Sequence, residues 1–426
     1  MTLIKSIIHK SQSTLGDAGI LLISSLLVNA GNYALNLCLG RWLGPEVFAE
    51  ANILATLVMI LSFVAVGLQL TVAKYAATFY STHQKENLKN LISVFVKTGK
   101  RFGLFLLPIL LLLASFIKVY LLFKSIMPLL ILFLGFPLYL LMSISRGYFQ
   151  GTNQFKKLAI TYVIEMVARV IITIVLLFLF RDSAHLTSVV ALGFLASFVA
   201  TYYYSKLKTS SSTSTLPYKK EIISFLAIIG IYELSQILIN NSDVILVKHF
   251  FSAEEAGLYA AIALIGRIVF FATWTIVTLL FPKVIEKEKK GESHTHLFWG
   301  ALALVATIGW MIVGACFLFD EWIIHVLFGT EYIVMAHLLW IYALATCLFA
   351  CANVFAYYHM SLNNYTPVLL SIMVGVLQIV SIYLYHNSLE QVLFIQIILM
   401  SFLLLAMMVY HTIAPKKITS LTLITQ

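Results

Sequence analysis

Apolar runs close to 20 residues long recur throughout this chain of 426 residues, and they restrict its fold more than any other feature. A helix of that length crosses the hydrocarbon core of a bilayer, about 30 Å, at about 1.5 Å per residue. LLISSLLVNAGNYALNLCL near the N-terminus is one such run, and IITIVLLFLF with its flanks is another. They do not alternate apolar and polar residues, as a membrane barrel strand of about ten residues must. Hydrophobic residues make up 61% of the chain and charged residues 11%, against about 45–50% and about 25% in soluble domains. The fold class is therefore all-α, a polytopic membrane protein.

Twelve spanning helices are expected, at 17–39, 47–70, 102–123, 126–145, 158–180, 185–205, 221–249, 256–281, 297–318, 334–358, 366–386 and 390–412. Pro108, Pro128 and Pro137 are expected to kink the third and fourth. On this count 21 of the 28 lysines and arginines, Arg146 among them, fall on the side of both termini. Five, including Arg41 and Lys248, fall on the other side, and Arg169 and Arg267 lie inside spans. Positive charge gathers on the cytoplasmic side, so both termini are expected there, in a multi-pass protein of the inner or plasma membrane. The same sorting explains the net charge of +10 and leaves no role for nucleic acid as a partner.

Residues 3–12 read as a short amphipathic helix on the membrane surface, with no cleavable signal peptide. The four cysteines, Cys38, Cys316, Cys347 and Cys351, sit in apolar blocks and read as small hydrophobic filler. His294 and His296 have no further ligands at zinc-type spacing, so no metal or other cofactor is expected.

The Ser/Thr-rich stretch KLKTSSSTSTLPYKK, 206–220, is the one segment that looks like a linker. It divides the chain into an N-terminal lobe of six helices at 1–207, a cytoplasmic linker at 208–220 and a C-terminal lobe of six at 221–426. The halves look like a parallel repeat. Asn32 corresponds to Asn241, LGPEVFAEA (43–51) to SAEEAGLYA (252–260), and Lys74 to Lys283.

Polar residues inside the spans fall in stripes. Glu233, Gln236, Asn240 and Asp243 occupy an arc of about 80° on the seventh helix, at about 100° per residue. Ser25, Asn29, Asn32 and Asn36 occupy about 60° on the first. In lipid such a stripe must face protein or water. It either lines a cavity between the lobes or joins helices within one lobe. Arg267 lies near the middle of the eighth span and needs a partner, for which Glu233 and Asp243 are candidates. Glu165 and Arg169, four residues apart, are placed to pair within the fifth helix.

NNSDVILVKHFFSAEEAGLYAAIALIGR (240–267), LLFPKV (279–284), LGRWLGPEVFAEA (39–51) and RGYFQGTNQFKKLAI (146–160) together resemble the polysaccharide transporter branch of the multidrug/oligosaccharidyl-lipid/polysaccharide (MOP) flippase superfamily. The resemblance runs through nearly the whole chain, in order. One departure is Phe48-Ala49, where the family pattern has a glycine. The resemblance implies a MATE-like fold, two six-helix lobes around a central cavity, and alternating access. It implies a substrate of polyprenyl-pyrophosphate-linked oligosaccharide, moved to the outer leaflet for cell-surface polysaccharide such as O-antigen.

With that substrate, Arg267 would bind the pyrophosphate, because a guanidinium grips phosphate oxygens in pairs. Asn29, Asn32, Asn36, Gln236 and Asn240 would meet sugar hydroxyls. Glu233 or Asp243 would couple transport to H+ or Na+, or else the membrane potential would act on the bound charge. Further partners would be membrane lipids and a glycan polymerase or assembly protein. The nearest rival is a cation-coupled small-molecule or drug exporter of the same superfamily. A membrane glycosyltransferase or polysaccharide polymerase is the rival among enzymes, but no nucleophile elbow or phosphate loop supports it.

Overall fold

The computed structural model describes residues 2–180, 185–207, 217–270, 291–362 and 364–413, with scattered positions from 273 to 288 and side chains from residue 20 on, Leu22 excepted. Among these residues every regular element is a helix. Ten stretches are long and apolar enough to cross a membrane. Large apolar side chains stand fully outward on them, such as Leu112 at 80% and Val119 at 73% exposure. Water would not tolerate such a surface, whereas lipid matches it.

Helix α1 runs Thr2–Ser81, 80 residues. Straight, it would be about 120 Å long, four bilayer cores. It reverses instead at Gly44-Pro45, where Gly44 takes φ 69°, ψ 170°. A residue before proline is pushed out of the helical region, and only glycine takes positive φ there at no cost. The two arms lie side by side, since Asn32, Leu35 and Asn36 of the first share a cavity wall with Ala51, Ala55 and Val58 of the second. The arms are the first two predicted spans. The predicted surface helix at 3–12 does not form separately, because α1 is already helical from Thr2.

Then follow α2 (Lys85–Tyr120), α3 (Met127–Gly151), α4 (Phe155–Leu179) and α5 (Leu186–Ser205). Helix α2 starts well before the predicted 102. Its early turns are amphipathic, and Leu91, Ile92 and Phe95 pack against Val72, Tyr75 and Phe79 of α1 and Ile144 of α3. Pro128 opens α3, where its missing N–H is no loss. Pro108 and Pro137 stand inside helices that continue through them.

The next elements are α6 (Lys219–Phe250) and α7 (Ala253–Gly266). After them come α8 (Thr295–Leu318), the short α9 (Asp320–Leu327), a 3-10 helix (Thr330–Leu338), α10 (Leu339–Ser361), α11 (Thr366–Leu384) and α12 (Leu389–Ile413). Most of the predicted linker, and the latter part of the predicted span 256–281, fall outside the described residues.

The chain packs as two compact units, Met1–Ala261 with Ile324–Val334, and Ile262–Ile323 with Met335–Gln426. In the first, α3 is central and packs on α1, α2 and α5. The glycines of Arg146-Gly-Tyr-Phe-Gln-Gly151 allow it: a Cβ on Gly147 would strike the Gln69 carbonyl oxygen, and one on Gly151 that of Ala73. This is the small-xxx-small contact of membrane helices, where close approach supplies the packing that lipid cannot. Gly257 likewise leaves no room for a Cβ beside the Pro45 carbonyl. The two corresponding motifs at 43–51 and 252–260 are therefore in direct contact. Phe48, at the departure from the family pattern, is fully buried against Phe328 and Tyr332. In the second unit α10 packs between α8 and α12, and α11 lies on α12.

Candidate functional site

Helices α3 and α4 bring three ionised groups together inside the first unit. Glu165 Oε2 is 2.7 Å from Arg146 Nη2, and Glu165 Oε1 is 2.6 Å from Arg169 Nη2. All three side chains are at most 14% exposed. Glu165 and Arg169 lie one helical turn apart on α4, so their contact follows from helix geometry. Arg146 comes from the last turns of α3, which the glycine contacts press against α1.

Each arginine is held further. Arg146 donates through Nε to Thr161 Oγ1 at 3.1 Å and through Nη2 to the Thr161 carbonyl at 3.0 Å. Its guanidinium stacks over Tyr162, 4.1 Å from the ring centre. Tyr162 in turn accepts from Gln69 Nε2 at 2.9 Å. Arg169 stacks over Phe194 at 4.3 Å and donates to Asn32 Oδ1 at 3.3 Å. Arg169 and Asn32 open onto a cavity of about 140 Å³ that Asn36, Thr173, Val190 and Met59 also line.

Arg146 had been expected as a cytoplasmic surface cation. The structure places it inside α3 at 4% exposure. Hydropathy ends the fourth span at the first charge, but here that charge has a carboxylate across the helix interface. Lys248, expected at the opposite membrane face, is also buried, at 2% exposure.

The first stripe divides along α1. Ser25 and Asn29 are exposed, whereas Asn32 and Asn36 face the cavity. Asn36 Nδ2 donates to the Asn32 carbonyl at 2.9 Å. On α6, Asn240 donates to the Gln236 carbonyl at 2.8 Å. Both polar atoms of the Gln236 side chain are buried without a hydrogen-bond partner among the described residues. Glu233 is half-buried. Asp243 is 1% exposed and accepts from Tyr259 Oη at 3.0 Å. Arg267, in the second unit, donates from Nε to Tyr342 Oη at 3.0 Å. The tyrosine partners and Arg146 are the residues that the sequence reading missed. The paired glycines after Arg146 are the signal that could have placed it in a helix interface.

His294 of the histidine loop has two side-chain partners. His294 is 2.9 Å from Glu288 Oε2 and 2.9 Å from Tyr358 Oη. Among the described residues no three His, Cys, Asp or Glu side chains gather as a metal site.

Taken together, a bundle of long apolar helices with a buried, hydrogen-bonded charge cluster beside a cavity defines a polytopic membrane protein with charged groups in its interior. The family described as polysaccharide biosynthesis protein matches residues 15–286, and the chain belongs to that family. No curated protein sequence matches it. Among solved structures it is similar to the lipid II flippase MurJ in an inward closed conformation, with a TM-score of 0.75 at 12% identity over 92% of this chain and 87% of that one. It is similar also to an inward-facing multidrug resistance MATE family transporter of the MOP superfamily, with a TM-score of 0.70 at 14% identity over 90% and 92%. The outward-facing conformation of a MATE transporter matches with a TM-score of 0.63 at 14% identity over 93% and 94%. The fold is thus the MATE and MurJ fold.

Proposed function

We propose that this protein is a flippase, not an enzyme, and that it moves polyprenyl-pyrophosphate-linked oligosaccharide across the cell membrane by alternating access. The observation that carries this reading is a polar, cation-bearing interior in a member of a polysaccharide biosynthesis family. A diphosphate headgroup with its sugars cannot cross hydrocarbon bare. Inside such a protein, guanidinium groups take the place of water around phosphate, and side-chain amides take its place around hydroxyls. The lipid tail stays in the bilayer. Two six-helix lobes, 1–207 and 221–426, would rock about the substrate, joined by the linker at 208–220. Arg267, Asn29, Gln236 and Asn240 are proposed as further headgroup contacts, and Glu233 or Asp243 as the coupling group for H+ or Na+. Both termini would be cytoplasmic, and the product would feed surface polymers of the O-antigen or capsule kind through a glycan polymerase.

The test is the leaflet location of lipid-linked oligosaccharide in cells depleted of the protein. Accumulation on the cytoplasmic face, reversed by wild type, is the expected result. Unchanged display of the polymer outside, with no accumulation, would sink the reading and favour the small-molecule exporter.

A further inference from the structure

Helix α2 changes character along one face at the point where it enters the bilayer. Its inner side is fixed by close packing on α3: a Cβ on Gly99 would strike the Ile144 side chain, and one on Gly103 would lie 3.1 Å from Pro137. The far side therefore has a set orientation, away from the protein. It carries Lys97, Lys100 and Arg101, all exposed, and then Leu104 and Phe105, each 66% exposed. Residues three and four apart are neighbours on a helix. The three cations thus form one cluster, and the apolar pair follows it directly. Leu112, Phe116 and Val119 continue the apolar strip.

The cluster has no acid of its own. Lys89, two turns nearer the start of α2, pairs with Glu86 at 3.1 Å. Lys157, at the start of α4, donates to Gln154 Oε1 at 2.8 Å. Among the described residues no carboxylate pairs with Lys97, Lys100 or Arg101. Exposed cations in water need no partner, but depth sets these three apart. From Phe102 to Ile117 the helix carries no charge. That run is about 24 Å long at about 1.5 Å per residue, shorter than the hydrocarbon core of about 30 Å. Arg101 at one end of it and Lys118 at the other are therefore drawn to the level of the headgroups. Helical side chains lean toward the N-terminus of their helix. At this end of the span that lean carries the three cations out of hydrocarbon and into the phosphate layer.

We infer that Lys97, Lys100 and Arg101 form a binding site for an anionic phospholipid of the surrounding bilayer. The Arg101 guanidinium takes two phosphate oxygens side by side. The two ammonium groups supply the remaining charge, and the acyl chains lie along Leu104, Phe105 and Leu112. A zwitterionic lipid offers the same phosphate and the same chains but brings its own cation to the cluster, so the site selects by net headgroup charge. The site shares no residue with the Arg146, Glu165 and Arg169 cluster or with the cavity, and it does not depend on what the protein transports.

The test is native mass spectrometry of the full chain, titrated with dioleoylphosphatidylglycerol or dioleoylphosphatidylcholine. The readout is the dissociation constant of the first lipid bound. Wild type is expected to bind phosphatidylglycerol about tenfold more tightly or better. The triple variant K97Q/K100Q/R101Q should reduce that preference to within about twofold. Arg101→Lys should reduce it partway, because the charge stays and the fork is lost. The variant K156Q/K157Q/K206Q removes the same charge from other exposed positions and should keep the preference. All of these side chains are exposed, so the fold is expected to survive every change. Equal affinity of wild type for the two lipids would overturn the site. An equal loss in both triple variants would overturn it as well, since net charge alone would then draw the lipid. sn-Glycerol 3-phosphate at matching concentration is expected to leave the lipid bound, and its displacing the lipid would mean a site for free phosphate instead.

Discussion

Glu165→Gln is the perturbation that tests the charge cluster most directly. Glu165 is the one carboxylate between two guanidinium groups, at 2.6 and 2.7 Å, and the three side chains are 5–14% exposed. Removing one member of a buried ion pair typically costs about 3–5 kcal/mol, because the other charge is left uncompensated. Here two charges are left, so the upper part of that range is expected, although the glutamine oxygen can still accept one bond. The double variant Glu165→Gln with Arg169→Gln restores the original net charge of the cluster. It should recover part of the loss, with a coupling of at least about 1.5 kcal/mol between the two sites. Unfolding free energies from denaturant titration in mixed micelles would measure both. A cost below about 1 kcal/mol for the single variant, or additivity within about 0.5 kcal/mol, would refute the claim that the three charges form one buried unit.

Other contacts yield simpler expectations. Tyr259→Phe removes a hydrogen bond to the buried Asp243 carboxylate and should lower stability by about 1.5–3 kcal/mol in the same titration. Gly257→Ala places a methyl against the Pro45 carbonyl. Overpacking of that kind costs about 1–3 kcal/mol, visible as a lower melting temperature and a lower yield of monodisperse protein. Tyr332→Phe removes the hydrogen bond to the Gly40 carbonyl at 2.9 Å while keeping the edge-to-face ring contact with Phe48. Its cost should be only about 0.5–1.5 kcal/mol, and a larger one would mean that the edge-to-face contact changes too.

The spans were legible because the hydrophobic effect acts over whole segments. A stretch such as 297–318 has only one energetic home, and α8 forms over Thr295–Leu318. The break between the first two spans was legible for a local reason, since Gly44-Pro45 cannot continue a helix. The starts of helices were less so. The early turns of α2, KENLKNLISVFVKTGKR, carry lysines that hydropathy assigns to water. They are helical and packed because one face carries Leu91, Ile92 and Phe95, and that face finds α1. Amphipathic extensions of a membrane helix obey the rules of a soluble protein, and a window that averages hydropathy does not see them.

The site was legible in pieces. The i, i+4 spacing of Glu165 and Arg169 pointed to their contact, and the spacing of Asn32 and Asn36 pointed to a shared face. Arg146 was not legible, and the reason is physical. A transfer scale charges an arginine the cost of an isolated cation in hydrocarbon, so it ends the span there. The cost actually incurred depends on whether a carboxylate stands across the interface, and that is a property of a second helix. Only a signal for close helix contact can shift the expectation, and Gly147 and Gly151 are such a signal. They bring α3 against α1, and the same helix presents Arg146 to Thr161, Tyr162 and Glu165 of α4. A charge at the edge of an apolar run, followed by glycines four apart, therefore reads better as an interface charge than as a loop. By that rule Arg146 belongs with Glu165 and Arg169 in one buried cluster between α3 and α4. The acid between the two arginines is shared and cannot neutralise both.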